Sequence, residues 1–318
     1  MGQNFADIHW PGWVELEEYL MPTSLPDALE MLTKFGGQAR VIAGGTDVIP
    51  QLRKGDYSVK ALVDITGLPG MNTIEEKADK IVLGGLVTHA QAADSPLIRN
   101  KANLLAAGCS QVGSPQIRNV GTLAGNLVSG QPAADASLPL LALDASVTIA
   151  SAIGKRLVPL SEFFLDVGKT VLDPTREIIT YIEFSAMGAN QGCCYQRLAK
   201  RKALALPMMA CAIKVEVDPH QKTFAEAALA LGPVAPIPFR ERRTEDFLRG
   251  KAISRQTLEA AAEGVLAYCK PRDSMLRGSC DYRQAMVKVL VRRGLERSLE
   301  QAGYPLVSRS GMVETPRL

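Results

Sequence analysis

Apolar positions in the first part of the chain fall into helix-like spacings and short continuous runs. Residues 24–37, SLPDALEMLTKFGG, carry apolar side chains at helical spacing after Ser24 and end on two glycines. This pattern predicts a helix with Ser24 as N-cap and a glycine stop. The apolar runs at 40–43, 61–66 and 80–85 predict strands. The alternation of short strands with helices favours α/β or α+β order.

The pattern changes in the second half of the chain. Before that change, residues 88–113 predict two helical segments that begin at Thr88 and part at Ser95-Pro96. The remaining predicted elements are strands at 146–151, 176–184, 193–199, 208–217 and 225–234 and helices at 254–270 and 281–303. Three long strands followed by helices predict a separate antiparallel C-terminal domain.

The last predicted helix combines an apolar stripe with a set of basic residues. Its apolar positions at helical spacing are Tyr282, Ala285, Met286, Val289, Leu290 and Leu299. The basic residues that lie mostly off this stripe are Arg283, Lys288, Arg292, Arg293 and Arg297. We interpret the basic set as a solvated face rather than a docking surface, because most charged positions on helices face water.

The composition is that of an ordinary globular protein. Apolar residues make up 47% of the 318 residues and charged residues 22%, which predicts two or three subdomains with a buried core. A formal net charge of +3 predicts no binding to nucleic acid or to an anionic membrane. The start of the chain lacks the features of a signal peptide, and no apolar run is long enough to predict a membrane span. We therefore expect a cytoplasmic protein.

The six cysteines and three histidines predict neither a disulfide framework nor a metal site. The cysteines are sparse and lack the short repeated spacing of zinc or iron–sulfur ligands. Cys193 and Cys194 are neighbours on a predicted strand, so their side chains point to opposite faces. We interpret the cysteines as thiols in a reducing compartment, and His9, His89 and His220 as structural residues.

The strand predicted at 40–43 runs directly into two adjacent glycines. In RVIAGGTDVIPQLRKG, Gly44 and Gly45 stand where the chain must turn. Glycines at such a bend can adopt positive φ and present successive bare N–H groups in a concave nest that binds phosphate. Thr46 adds a hydroxyl, and a helix that begins there adds the positive end of its dipole. A plain glycine turn between strand and helix explains this stretch equally well.

A second glycine loop lies in the stretch RNVGTLAGNLVSGQPAADAS at 118–137. Gly121 and Gly125 allow close backbone approach, and Thr122 and Asn126 supply polar groups. Two such loops suit two phosphates. This pairing favours a binding role over two unrelated turns.

Asp135 follows the second loop, in the first turn of a helix that we predict to open at Pro132. At that position its carboxylate can accept hydrogen bonds from ribose hydroxyls. It can equally serve only to interact with the helix dipole, and the residues alone favour neither role.

Familiar fingerprints of other sites are absent from the sequence. It contains no G-x-x-x-x-G-K-[ST] of a P-loop and no G-x-G-x-x-G of a Rossmann site. Neither loop has an adjacent Ser/His/Asp, Cys/His or paired-carboxylate arrangement. We therefore predict no catalytic residue in this chain, and a cofactor that supplies its own chemistry.

The two glycine loops carry a family resemblance. Residues 41–55 and 114–137 resemble the two FAD-binding segments of the medium, flavin-carrying subunit of the xanthine dehydrogenase and carbon monoxide dehydrogenase family of molybdenum hydroxylases. Residues 195–213, 225–251 and 272–299 are similar to successive sections of the same subunit's C-terminal domain. The resemblance covers nearly the whole chain. It is specific because several separated motifs occur in order.

The resemblance implies an α+β fold with a division into domains. Two α/β FAD-binding subdomains of the PCMH-type flavin fold are expected at 1–60 and 61–185. A C-terminal domain with an antiparallel sheet and helices is expected at 186–303. Residues 304–318 are expected to form an irregular tail.

The resemblance also assigns FAD-binding roles to residues of both loops and beyond them. Contacts to the pyrophosphate are implied for Ala43, Gly44, Gly45, Thr46 and Asp47, with Ile42 and Val48 flanking them. The other implied contacts are Thr122, Gly125 and Asn126 on the far side of the pyrophosphate, Val128 near the flavin, Asp135 at the adenosine ribose and Ile179 at the isoalloxazine ring. No metal ligand is implied.

Three departures from the family pattern concern the flavin and the metal content. Ala124-Gly125 stands where relatives often have two glycines, which is a small change. Gln196 matches a position where some relatives have a lysine near the flavin. The cysteines do not supply the four-cysteine [4Fe–4S] insertion of one subgroup.

The function implied is that of an electron-transferring subunit in a heterotrimer. The chain is expected to bind FAD non-covalently and to pass electrons from [2Fe–2S] clusters of a small partner subunit to an external acceptor such as NAD. Molybdopterin and substrate oxidation or reduction are expected in a large partner subunit, and two heterotrimers can pair as a dimer. Two alternatives stay open: a stand-alone flavin oxidoreductase of related fold, and a non-redox nucleotide-binding module.

Overall fold

The computed structural model describes residues 16–201, 203–275 and 277–306. His9, the predicted absence of a signal peptide and most of the predicted tail lie outside these residues. The first layer is a parallel sheet in the order β1-β3-β2. Its elements are β1 (Glu18–Leu20), α1 (Leu25–Lys34), β2 (Ala39–Ile42), α2 (Val48–Lys54) and β3 (Ala61–Asp64). The central strand β3 begins just after residue 60, so this sheet extends past the end that the sequence assigns to the first subdomain.

Helix α1 forms as its sequence predicts. The Ser24 hydroxyl accepts a hydrogen bond from the Asp27 N–H group at 3.3 Å, which satisfies one donor of the first turn. Leu32 buries the apolar face of the helix in a core shared with β2 and β3. The helix ends two residues before Gly36, which has a φ of 58°. The prediction for this element is confirmed.

The second layer is an antiparallel sheet in the order β4-β5-β10-β6-β7, covered by short helices. Its strands are β4 (Ile74–Lys77), β5 (Lys80–Gly84), β6 (Ser146–Ser151), β7 (Gly154–Pro159) and β10 (Ile178–Ser185), and β8 (Phe164–Asp166) and β9 (Lys169–Thr170) form a separate hairpin. The helices are α3 (His89–Asp94), α4 (Pro96–Lys101), α5 (Asn103–Ser110), α6 (Pro115–Val120), α7 (Leu123–Val128) and α8 (Ser137–Ala142).

The prediction of two helical segments across 88–113 is corrected to three. Thr88 caps α3 as predicted, in a capping box with Gln91, and Ser95 caps α4. A further break falls at Ala102, whose φ of −157° and ψ of 45° lie outside the helical range. Ala102 is fully buried, so tertiary packing and not a local breaker residue ends α4.

The third layer is an antiparallel sheet in the order β11-β12-β13-β14, with helices packed on it. Its elements are β11 (Gln191–Leu198), β12 (Met209–Asp218), β13 (Thr223–Gly232), β14 (Phe239–Arg240), α9 (Arg242–Leu248), α10 (Arg255–Gly264) and α11 (Cys280–Gln301). The three layers confirm the predicted α+β fold. Among the helices of the described residues, none has both the length and the apolar character to cross a membrane.

The predicted solvated face of α11 is wrong at Arg283. This side chain is only 3% exposed, and its guanidinium donates hydrogen bonds to the carbonyl oxygens of Met208, Arg272 and Pro233. The long arginine stem packs like an apolar side chain while its head saturates three backbone acceptors. Helical periodicity alone does not reveal those acceptors, because they come from other elements.

A buried charged cluster joins the second and third layers. Arg240 donates to Glu245 at 2.5 Å and to Asp144 at 2.7 Å, and it also bonds the Leu141 carbonyl at the end of α8. Glu245 additionally accepts the Leu229 N–H group of β13 at 2.7 Å. The side chains of Arg240 and Glu245 are both 4% exposed, so the pair is desolvated but fully hydrogen-bonded.

Candidate cofactor-binding site

A cleft of about 740 Å³ collects residues from all three layers. Its walls come from the end of β2 and the start of α2, from the segments around α6 and α7, from β10 and from the loop after β11. Its size lies within the ~300–1,000 Å³ typical of small-molecule and cofactor sites. The two glycine loops of the sequence therefore meet in one cavity.

The first glycine loop presents an uninterrupted row of backbone donors. Gly45 has a φ of 67°, the left-handed conformation that glycine adopts without strain, as predicted for this bend. Within the described residues, none of the N–H groups from 43 to 48 donates to a protein acceptor. Backbone donors in folded proteins are nearly always paired, so this row is suited to an anionic ligand.

The two glycine loops touch at Gly44. A Cβ atom on Gly44 would overlap the carbonyl oxygen of Val120, the residue before Gly121. Glycine is required at 44 by this close backbone approach and not by φ, which lies outside the left-handed range. The contact brings both loops to one wall of the cleft, which is the condition for both to reach one diphosphate.

Backbone hydrogen bonds hold the second loop in place. The His89 N–H group donates to the Gly121 carbonyl at 3.0 Å. The Thr122 hydroxyl accepts from the Gly125 N–H group at 3.0 Å and thereby caps α7. The Thr122 oxygen accepts this bond, and its O–H can still donate a hydrogen bond to a ligand in the cleft.

The structure places every predicted site residue in the cleft wall except Ile42. The predicted residues that line the cleft are Ala43, Gly44, Gly45, Thr46, Asp47, Val48, Thr122, Gly125, Asn126, Val128, Asp135 and Ile179. The side chain of Ile42 packs instead in a small core with Leu52, Val59 and Leu62. The Ile42 side chain packs against the first glycine loop, since a Cβ atom on Gly45 would lie 3.3 Å from the Cδ1 atom of Ile42.

Asp135 lies in the cleft wall, but its surroundings differ from the sequence prediction. Helix α8 begins at Ser137, so Asp135 precedes the helix instead of occupying its first turn. Its Oδ1 accepts the Tyr195 hydroxyl at 2.5 Å and the Arg197 Nε–H at 2.9 Å, both from β11. Burial raises the pKa of Asp135 to about 6, and these two hydrogen bonds oppose the rise.

The side chains of β11 alternate between two faces, and Gln196 lies on the face away from Asp135. Tyr195 and Arg197 point towards Asp135, whereas Gln196 points to the opposite face and its Nε2 lies 3.1 Å from the Cys194 sulfur. Side chains alternate along a strand, so the position matched to the family lysine and its two neighbours cannot share one face. Gln196 is not among the residues that line the cleft.

Sequence reasoning missed several residues of the cleft wall. The additional polar and aromatic residues are Arg40, Gln51, Tyr57, His89, Glu177 and Arg277, and the apolar ones include Val112, Ile117, Leu204 and Leu206. The guanidinium carbon of Arg40 lies 4.1 Å from the centroid of the Tyr57 ring, a cation–π contact at one end of the cleft. Only Arg40 gave a local signal, because it lies in the strand that leads into the first loop.

The cleft wall combines backbone donors with a small number of titratable side chains. The described residues contain no group of three or more His, Cys, Asp or Glu side chains placed to hold a metal ion. His89 is 2% exposed, and burial, with a smaller effect of Arg118, lowers its pKa to about 4. The donors of the first loop and the neutral imidazole can hold an anionic cofactor, whose own chemistry would then operate in the site.

Comparisons with known proteins agree with this geometry. Residues 14–185 match the family model described as FAD binding domain in molybdopterin dehydrogenase, and residues 195–298 match the CO dehydrogenase flavoprotein C-terminal domain. The chain belongs to the FAD-binding medium subunits of the molybdenum hydroxylases. It is thus an oxidoreductase subunit, and the family resemblance of the two glycine loops is confirmed.

Individual relatives match along most of the chain. The carbon monoxide dehydrogenase medium chain of Hydrogenophaga pseudoflava is 30% identical over 278 residues, covering 87% of this chain and 95% of the relative. The xanthine dehydrogenase FAD-binding subunit of Escherichia coli O157:H7 is 30% identical over 293 residues, covering 92% and 99%. A solved structure of carbon monoxide dehydrogenase from Hydrogenophaga pseudoflava superposes with a TM-score of 0.86 at 29% identity, covering 91% of this chain and 99% of that chain.

The site of this chain fits FAD, the cofactor of the family. Its first loop supplies a row of N–H donors without protein acceptors, and a side chain at Gly45 would need a strained φ and would press on Ile42 and Ile49. The row of donors suits a diphosphate that lies directly against the backbone, and glycine at 45 allows the bend that presents it.

Proposed function

We propose that this medium subunit binds FAD non-covalently in the cleft, with the diphosphate between the two glycine loops. The observation that carries the proposal is the row of N–H groups at 43–48 in direct contact with the second loop through Gly44 and Val120. A diphosphate is the part of FAD that needs several donors within a short distance. The Thr46 hydroxyl and the Thr122 O–H lie on the two sides of that contact.

The remaining predicted contacts concern the adenosine ribose and the flavin ring of the cofactor. Asp135 is placed to accept hydrogen bonds from the adenosine ribose, because its carboxylate is held in the wall by Tyr195 and Arg197. Val128 and Ile179 supply apolar surface for the flavin. The family resemblance implies these roles, and the positions of the three side chains in the cleft wall support them.

FAD held in this cleft would supply both one-electron and two-electron redox chemistry, which suits a relay between iron–sulfur clusters and an acceptor such as NAD. This chain's residues hold, orient and shield the cofactor, and none needs to transfer a proton. By analogy with relatives named as medium chains, we infer a small [2Fe–2S] subunit and a large molybdopterin subunit as partners in a cytoplasmic heterotrimer, which can pair as a dimer. These partners and the acceptor form the finer part of the proposal.

Replacement of Gly45 by valine tests the placement of the diphosphate. The variant combines strain at a φ of 67° with a side chain between Ile42 and Ile49, so we expect it to lose FAD while it stays folded. The matched control is Gly250→Val, because Gly250 has a φ of 73° and open space around it, in the third layer. Stoichiometric flavin in purified Gly45→Val, measured by absorbance, would contradict the placement.

Purification of the native complex tests the electron relay. We expect molybdenum, [2Fe–2S] clusters and FAD to co-purify with this chain, measured by metal analysis and flavin absorbance. Flavin without metals, together with independent turnover, would support the stand-alone oxidoreductase. A colourless native protein that binds nucleotides would support the non-redox module.

A further inference from the structure

A buried ion pair joins the cleft wall to the third layer. Arg197 Nε on β11 donates to Asp135 Oδ1 at 2.9 Å, and the side chains of both residues are 7% exposed. Asp135 lines the cleft from the second layer, whereas Arg197 is not among the residues that line it. A buried pair of this kind fixes both partners, because separation would leave each charge without water or a counter-charge. The orientation of one cleft-wall carboxylate therefore depends on a residue of another sheet.

The same guanidinium also reaches the segment that follows β11. Its Nη2 atom donates to the carbonyl oxygen of Ala205. Ala205 lines the cleft together with Leu204 and Leu206, both of which are more than half exposed. These three residues lie outside the helices and strands, and the Leu204 N–H group donates to the Gly113 carbonyl at 3.4 Å. The bond from Arg197 therefore helps to hold a part of the cleft wall that no regular element fixes.

The contacts of Asp135 leave one of its carboxylate oxygens to a ligand. Oδ1 accepts the Arg197 Nε–H and, at 2.5 Å, the Tyr195 hydroxyl. Among the described residues no donor is bonded to Oδ2, and this atom is not one of the fully buried atoms that lack a partner, so it keeps accessible surface. An ionised carboxylate can accept hydrogen bonds at both oxygens. By fixing Oδ1, the two protein donors also set the direction in which Oδ2 can accept from a ligand.

We propose that Arg197 is a positioning residue of the cofactor site, whose one guanidinium sets both the Asp135 carboxylate and the 204–206 segment in the cleft wall. The inference rests on the proposed function, which places FAD in this cleft. Arg197 acts through Asp135 and Ala205 and does not contact the cofactor itself. The planar guanidinium suits this task, because its Nε and Nη2 donors have a fixed spacing and hold the two acceptors in one geometry.

Two substitutions at Arg197 test the proposal in full-length apoprotein that is titrated with FAD and followed by flavin fluorescence. Arg197→Met keeps much of the side-chain stem and removes both hydrogen bonds, so we expect the dissociation constant of FAD to rise about tenfold or more. Arg197→Lys keeps a charge for Asp135 but has no fork to hold Ala205 as well, so we expect a rise of about threefold. If Arg197→Met does not fold, Arg197→Lys decides alone, and FAD binding as tight as in the wild type overturns the inference.

The matched control is Arg283→Met, at another buried arginine of the third layer. Arg283 donates to the carbonyl oxygens of Met208, Arg272 and Pro233, which lie outside the cleft wall. We expect Arg283→Met to lower the melting temperature of the apoprotein, as Arg197→Met does, with an unchanged dissociation constant of FAD. Equal losses of FAD affinity in the two variants would trace the loss to general destabilisation and overturn the inference.

Dependence on Asp135 separates positioning from a merely structural role. In an Asp135→Asn background, the rise in the FAD dissociation constant caused by Arg197→Met should shrink from about tenfold to about threefold or less, because the carboxylate that Arg197 orients is gone. The same fold-change in both backgrounds would contradict the inference. Gly45→Val, measured in parallel, distinguishes the two proposals: if it loses FAD and Arg197→Met binds FAD as the wild type does, only the role of Arg197 fails.

Discussion

The cleft and the third layer treat polar groups in opposite ways. In the third layer, buried Arg283 donates to three carbonyl oxygens, and buried Arg240 pairs with Glu245 and Asp144. In the cleft, the partly exposed N–H groups of 43–48 have no acceptor among the described residues. The third layer uses its polar groups to hold the fold together, whereas the first glycine loop keeps its donors available to a ligand. This contrast separates a structural polar cluster from a binding site.

The largest expected effect concerns the buried ion pair between Arg240 and Glu245 in the third layer. Glu245→Ala should lower the free energy of unfolding by about 4 kcal/mol, because it leaves the buried Arg240 without its main carboxylate. FAD affinity of the folded fraction should not change, since Glu245 lies outside the cleft wall. The measurement is urea unfolding of apoprotein followed by circular dichroism. As a control, Asp246→Ala removes an exposed pair with Arg249 and should cost less than about 1 kcal/mol. A similar cost for both variants would break the comparison.

The second prediction concerns the contact between the loops. Gly44→Ala should destabilise the protein by about 3 kcal/mol and abolish FAD binding, because its Cβ would overlap the Val120 carbonyl and force the loops apart. The control Gly67→Ala has the same chemistry with open space and no positive φ, so it should be close to neutral. Denaturant unfolding and flavin content measure both effects. Retained FAD in Gly44→Ala would show that the loops need not touch to bind the cofactor.

The third prediction uses the buried carboxylate of Asp135, which stands between the two regions. Burial raises the pKa of Asp135 to about 6 in the folded protein, so the folded state favours the protonated carboxyl. The stability that this gives is fully present below about pH 4 and is lost as the pH rises through 6. The stability of wild-type apoprotein relative to Asp135→Asn should therefore fall by roughly 2–3 kcal/mol between pH 4 and pH 7. Urea unfolding at several pH values measures this difference. A difference that grows with pH would mean that Arg197 and Tyr195 outweigh burial.

The smallest expected effect comes from the same kind of substitution, the removal of a helix N-cap, in each of the two regions. Thr88→Ala and Ser254→Ala each remove an N-cap, on α3 beside the cleft and on α10 in the third layer. Each should cost about 1 kcal/mol of stability, measured by thermal unfolding. Only Thr88→Ala should also weaken FAD binding, by a few-fold at most, because the His89 N–H group at the start of α3 holds the Gly121 carbonyl of the second glycine loop. Equal FAD affinities in the two variants would show that the start of α3 does not position this loop.

The sequence predicted elements wherever the cause was local. Ser24 and Thr88 cap helices because their hydroxyls reach N–H groups of the next turn, and the long strands of the third layer follow from continuous apolar runs. It failed where the cause was distant. The break at Ala102 and the burial of Arg283 depend on residues far along the chain, and neither leaves a mark in the local pattern.

The site shows the same division. The glycine loops were visible because two of them occur in one chain, each with polar neighbours, and their motifs match the family. The position of His89 in the cleft wall was not visible, since one histidine at the start of a helix has no distinguishing neighbours in sequence. Asp135 was predicted to lie at a helix start, whereas in the fold it meets Tyr195 and Arg197 of another sheet.

The sequence by itself determined the helix caps, the alternation of strands and the two flexible bends, because each depends on residues within a few positions of one another. Only the tertiary structure decided that Gly44 rests on the Val120 carbonyl, that Ile42 turns into the core and that His89 faces the cleft. Those outcomes depend on close packing between segments that are distant along the chain. Such packing is set by the whole core and not by any local preference.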